Sequence, residues 1–162
     1  ACANPIPEIY PYLAKEAGAY IVATGRGDFA NQINNAIGFP GILKGALLVR
    51  SKKITDNMAI AAAHSLAIFA QRRGITPENI VPKMDETDVF AFEAADVAMQ
   101  AIKDGVARIN MSWQEAFNKA QNDIKNARNT IETLINQKLI PLPDEKIINE
   151  VLEWTINEVM KK

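Results

Sequence analysis

The sequence predicts an α/β fold that is mostly helical and ends in a C-terminal helical hairpin, and three observations carry this. Residues 19–24, Ala-Tyr-Ile-Val-Ala-Thr, form a short apolar, β-branched run closed by Gly25-Arg26-Gly27-Asp28, the pattern of a buried strand feeding a glycine-punctuated loop. Past that loop the periodicity turns helical and stays so. Near the end, Ser112-x-x-Glu115 opens a long amphipathic run that Pro141 and Pro143 break.

The elements follow in order. Tyr12 to Gly18 reads as a short helix with a glycine stop, so the chain begins as strand end, loop, helix, strand, loop, half of a parallel α/β layer. Ala1 to Ala3 are then the last residues of a preceding strand. Residues 40–49, apolar nearly all round, predict a largely buried helix. Thr55-Asp56 supplies cap chemistry for a helix from Asn57 to Arg73, with Met58, Ala62, Leu66 and Phe69 on one stripe and Gly74 as its end. Pro77 and Pro82 mark a connector, and residues 86–104 form an alanine-rich helix that stops at Asp104-Gly105. In the long helix from the capping box to about Lys138, Trp113, Phe117, Ala120, Ile124, Ala127, Ile131 and Leu134 alternate steps of four and three, a heptad seam. A last helix from Asp144 places Ile148, Val151, Leu152, Ile156 and Val159 on one face. The chain thus divides into residues 1–109 and a hairpin tail, 110–162, that docks on its own domain or on another subunit.

Composition limits the function classes. The 162 residues carry 18 Lys and Arg against 19 Asp and Glu, a net charge of -1, so no basic excess favours nucleic acid. No apolar run approaches the roughly 20 residues of a bilayer-spanning helix. A single cysteine, Cys2, suits a reducing compartment, and a cytoplasmic protein is expected. The opening Ala1-Cys2-Ala3-Asn4-Pro5 has neither an initiator Met nor the basic head of a signal peptide, and reads like the interior of a longer chain.

Few residues offer chemistry. His64 lies mid-helix without the further ligands a zinc site needs, and Cys2 reads as a packed small residue rather than a thiolate. Asp85-Glu86-Thr87-Asp88 sits where a helix begins, where the dipole favours carboxylates without a metal, and Glu8 is a lone acid in a turn. Gly25-Arg26-Gly27 does not continue as a dinucleotide-binding Gly-x-Gly-x-x-Gly. Amides stand out instead. Asn4 follows a strand end, and Asn31-Gln32-Ile33-Asn34-Asn35 follows the next, so both groups would face the crevice at the carboxyl ends of the strands. An amide can donate to a carboxylate and accept from a hydroxyl without carrying charge; the same residues also serve as turn and cap formers.

Asn4-Pro5-x-Pro7-Glu8-Ile9, Ala23-Thr24-Gly25-Arg26-Gly27-Asp28-Phe29, Asn31-Gln32-Ile33-Asn34-Asn35, Phe39-Pro40-Gly41-Ile42 and Gly45-Ala46-Leu47, closed by Gly105-Val106-Ala107-Arg108, resemble the carboxyl-terminal part of malic enzymes of the shorter, prokaryotic-type class. The match covers residues 1–108 and departs in Gly27, where Ser is usual, and Ala30, where Pro is usual. The resemblance implies the C-terminal portion of a Rossmann-like NAD(P)-binding domain in an enzyme that converts malate to pyruvate and carbon dioxide with NAD or NADP and a Mg or Mn ion. It places Asn4 beside nicotinamide and substrate, and Asn34 with Asn35 on a malate carboxylate, as substrate- and cofactor-binding residues. It also implies that the catalytic tyrosine and lysine, the acidic metal ligands and the phosphate-binding glycines precede Ala1. On that expectation the segment alone is inactive, works with the rest of the same enzyme, and belongs to a homodimer. A non-catalytic assembly module built on the hairpin and a different dehydrogenase are the alternatives; the Asn cluster argues against the first, and the Asn-Pro-x-Pro-Glu and Phe-Pro-Gly-Ile motifs against the second.

Overall fold

In the computed structural model, residues 1–160 are described; the last two positions of the expected tail lie outside them. Six helices follow in order: α1 (Pro11–Glu16), α2 (Asn35–Leu48), α3 (Asp56–Arg73), α4 (Asp88–Lys103), α5 (Trp113–Asn136) and α6 (Glu145–Met160). The chain forms two compact units, Ala1–Ile124 and Lys125 onward, and the division falls within α5.

The expected strand over 19–24 does not form. Among the described residues the nearest thing to a sheet at this place is an isolated parallel bridge between Thr24 and Gln32, where the Thr24 N–H donates to Asn31 O at 3.2 Å and the Ile33 N–H to Thr24 O at 2.7 Å. A parallel strand needs a neighbour paired along its length and cover over both faces. Here the Ala1 ammonium reaches Ala23 O at 3.0 Å, and Tyr20 is 78% exposed. Ala1 to Ala3 therefore run beside residues 23–25 as expected of a neighbouring strand end, but too briefly to make a ladder. Cys2 is exposed, not packed, because little of the chain covers this segment.

In the first unit α4 is the central helix, packed against both α2 and α3. Val89, Ala91, Ala94, Ala95, Val97, Ala98 and Ala101 of α4 are fully buried, joined by Met58 and Ala62 of α3 and Leu48 at the end of α2. Burying a Val or Met side chain stabilises by about 1.5–3 kcal/mol, and the alanines contribute mainly by letting helices approach. α2 answers with glycines. A Cβ at Gly45 would lie 2.6 Å from Ala94 O and 2.7 Å from Val97, so α2 can sit this close to α4 only without one. α5 begins with the expected capping box, Ser112 and Glu115 bonding each other's backbone and side chain. Trp113 and Phe117 then stack at 5.1 Å and lean on Phe92 of α4.

One helical expectation is corrected. α2 starts five residues before Pro40, which lies inside it, and only one face is buried: Phe39, Leu43 and Leu47 are exposed. Asn34, not the Phe-Pro-Gly triplet, sets the start. α6 buries no residue, and Pro141 and Pro143 stand in the segment that joins it to α5.

Candidate functional site

The site grows from Gly25, the residue after the bridge. Thr24 is fully buried and its Oγ1 accepts the Arg26 N–H at 3.2 Å, which turns the chain sharply at Gly25. A Cβ on Gly25 would stand 2.7 Å from Asn4 Nδ2 and 3.0 Å from Cys2 O. Glycine is thus what lets the Asn4 amide lie against the loop. From the other side Asn34 Nδ2 donates to Gly25 O at 2.9 Å. Asn4 and Asn34, 30 positions apart, meet over one residue.

Further ties fix each amide. Arg26 donates to Pro5 O at 2.6 Å and to the Asp28 carboxylate, and its guanidinium lies 5.6 Å from the Phe29 ring centroid. The hydrogen bond from Arg26 holds the Asp28 carboxyl below its usual range. Across the turn that carries Asn4, the Ala3 N–H donates to Glu8 Oε2 at 3.1 Å; Glu8's own backbone amide, and then this bond, keep the Glu8 carboxyl below its usual range. Glu8 and Arg26 therefore frame Asn4, Glu8 through the preceding backbone and Arg26 through the following carbonyl.

The five-residue amide cluster splits by role. Asn31 is buried in the left-handed conformation, φ 56°, and its side chain is saturated: Nδ2 donates to Val22 O and Pro77 O, and Oδ1 accepts the Ile80 N–H. It staples the Pro77–Pro82 connector to the loop. Asn34 is the N-cap of α2, its Oδ1 accepting the Ala36 N–H at 3.0 Å while Nδ2 holds Gly25. Asn35, at the first helical position, is exposed, as is Asn4. A cleft of about 470 Å³ beside the loop is lined by Phe29, Gln32, Asn34, Val81, Lys83 and Met84 among others; Asn4 and Asn35 are outside its lining.

The remaining candidates lie apart from this loop. His64 is exposed on α3. Glu86 pairs with Arg73 and accepts the Lys83 N–H, and Asp88 occupies the first turn of α4. No three of His, Cys, Asp and Glu converge among the described residues.

Periodicity did not single out Glu93, in the middle of α4. It is fully buried, neither carboxyl oxygen has a hydrogen-bond partner, and burial pushes its carboxyl up to about 8. The signal was present as a lone acid in the run Ala91-Phe92-Glu93-Ala94-Ala95.

The comparisons with known proteins agree on one family. The family model for the NAD-binding domain of malic enzyme matches residues 19–103, just over half of the 162 residues. A bifunctional malic/malolactic enzyme of Bacillus subtilis is 42% identical over 121 residues, covering 75% of this chain and 30% of that protein. Among solved structures, the malic enzyme of Entamoeba histolytica superposes with a TM-score of 0.87 at 62% identity, over 98% of this chain and 33% of that one. That of Pyrococcus horikoshii gives 0.78 at 47%, over 85% and 31%. The first of these likenesses extends through the tail that the motifs left uncovered. The chain spans about a third of the length of these relatives, and it belongs to the malic enzyme family, within the part of that family that carries its NAD-binding domain.

Proposed function

We propose that this chain is part of a cytoplasmic oxidative decarboxylase that converts malate to pyruvate and carbon dioxide with reduction of NAD or NADP, and that it supplies the amides that orient substrate and nicotinamide. The observation that carries this reading is the meeting of Asn4 and the α2 start at Gly25, held by the Asn34 and Arg26 hydrogen bonds. Hydride transfer depends on orientation, and neutral amides can grip a carboxylate and a carboxamide at once. When bound, NAD or NADP would supply the hydride acceptor, and a Mg or Mn ion, with ligands proposed to come from elsewhere in the enzyme, would supply charge stabilisation. This chain's residues hold and exclude.

The two asparagines of the pair differ in their own bonding. Asn34 spends both ends of its amide on Ala36 and Gly25, whereas Asn35 beside it is exposed. We assign Asn35 and Asn4 to ligand contact and Asn34 to holding them. In the full-length enzyme, Asn35→Ala is expected to raise the malate KM and lower kcat, together by about 10²-fold in kcat/KM, with an unchanged melting temperature. Asn34→Ala is expected to lower the melting temperature as well, having lost a cap. Parental malate kinetics in Asn35→Ala would overturn the assignment.

A second role is favoured by the tail. α6 carries Ile147, Ile148, Val151, Leu152, Trp154 and Val159 all exposed. We propose that residues 110–162 form the contact with a second copy of this chain, making a homodimer.

A further inference from the structure

The carboxyl of Glu93 lies across the one stretch of α2 that has no side chains to displace it. A Cβ on Gly41 would collide with the Glu93 carboxyl, and one on Gly38, a turn earlier, would come within 3.9 Å of Oε1. Four residues before Gly38 is Asn34, the cap that ties Gly25, and between them stands Asn35. At this end of α2 the only other buried side chain among the described residues is Ile37, which packs on Val89 and Phe90 of α4, while Phe39 and Pro40 face outward.

We propose that Glu93 is a positioning residue for the substrate-holding amides: wedged against Gly38 and Gly41, its side chain sets how the first turns of α2 sit on α4, and so where Asn34 and Asn35 stand. This rests on the malic enzyme reading of the site. An apolar residue would fill the hollow equally well, but a carboxyl makes the seat sensitive to proton concentration. Around it, Lys44 of α2 pairs with Asp123 of α5, Arg72 of α3 lies over the Phe92 ring, Arg73 pairs with Glu86, and Asp96 of α4 takes the Trp113 indole N–H. His64 of α3 is exposed, Asp88 and Lys103 sit at the two ends of α4, and Glu115 is held by Ser112. None of these charges compensates Glu93. Losing its proton therefore places an unpaired carboxylate between two helices, and the strain is relieved by moving α2 outward.

The test uses the full-length enzyme and three variants, with malate KM and kcat measured from pH 6.5 to 9. Glu93→Gln keeps the shape and removes the titration. The malate KM of the parent is expected to match that of E93Q at pH 6.5 and to exceed it about fivefold at pH 9, with kcat changing less. Gly41→Ala is expected to raise the malate KM about tenfold at pH 7 by pushing the carboxyl and helix apart, and adding Glu93→Ala to it to restore the value to within about threefold of the parent. Parallel pH profiles for parent and E93Q, or a double variant no better than G41A, overturn the inference alone. A parent enzyme with no malate-dependent nicotinamide reduction overturns both the inference and the functional reading beneath it.

Discussion

Gly25 and Glu93 are opposite cases of one residue deciding a neighbourhood, the first by having no side chain and the second by having one that nothing satisfies. The Glu93 case has a thermodynamic consequence that does not depend on catalysis. Its carboxyl titrates near the usual 4.5 when unfolded and at about 8 when folded. Between those values the unfolded chain has lost the proton while the native one keeps it, so stability falls as pH rises from about 4.5 to 8 and is level above. The loss is on the order of 5 kcal/mol by the same linkage. Urea unfolding at pH 5 and pH 8 is expected to show it in the parent and to show little of it in Glu93→Gln, the variant becoming the more stable protein at pH 8. An equal pH dependence in both would mean that the carboxyl is hydrated in solution.

At the scale of elements, local chemistry decided the helices. Thr55 caps α3 by accepting the Met58 N–H at 3.2 Å, and its hydroxyl donates to Asp104 at 2.6 Å, so the carboxylate that ends α4 lies at the positive end of α3. Thr55→Ala is expected to cost about 1–2 kcal/mol, read as a lower urea midpoint at unchanged slope. α3, α4 and α5 were legible to within two residues because cap, capping box and glycine stop are short-range signals. Gly105, at φ 70°, ends α4 with Val106 N–H bonded to Ala101 O, and Gly18, at φ 99°, ends α1 in the same way. The strand was not legible as a failure, because alternation and branching report a preference, while pairing needs edges that residues 19–24 do not find within this chain. Nor was the start of α2. Pro40 reads as a beginning, yet the cap is Asn34, and the candidate site was half visible for the same reason: the sequence places five amide-rich positions together but does not say that Asn31 staples, Asn34 caps and Asn35 stays free.

For the whole molecule the two units differ in kind. Residues up to Ile124 enclose a core around α4, while the part from Lys125 onward buries no residue of α6. With residues 110–162 as the contact between two copies, deleting residues 125–162 from the full-length enzyme is expected to halve the mass measured by light scattering; an unchanged dimer would reject the proposal. A 16-residue helix that buries nothing in its own chain is held by little beyond propensity, and isolated helices of about that length are marginal in water. In the homodimer proposed above, its order becomes a matter of mass action: on dilution below the dimer dissociation constant α6 is expected to melt while α2, α3 and α4 stay folded, so the helix content would depend on how much of the protein is present.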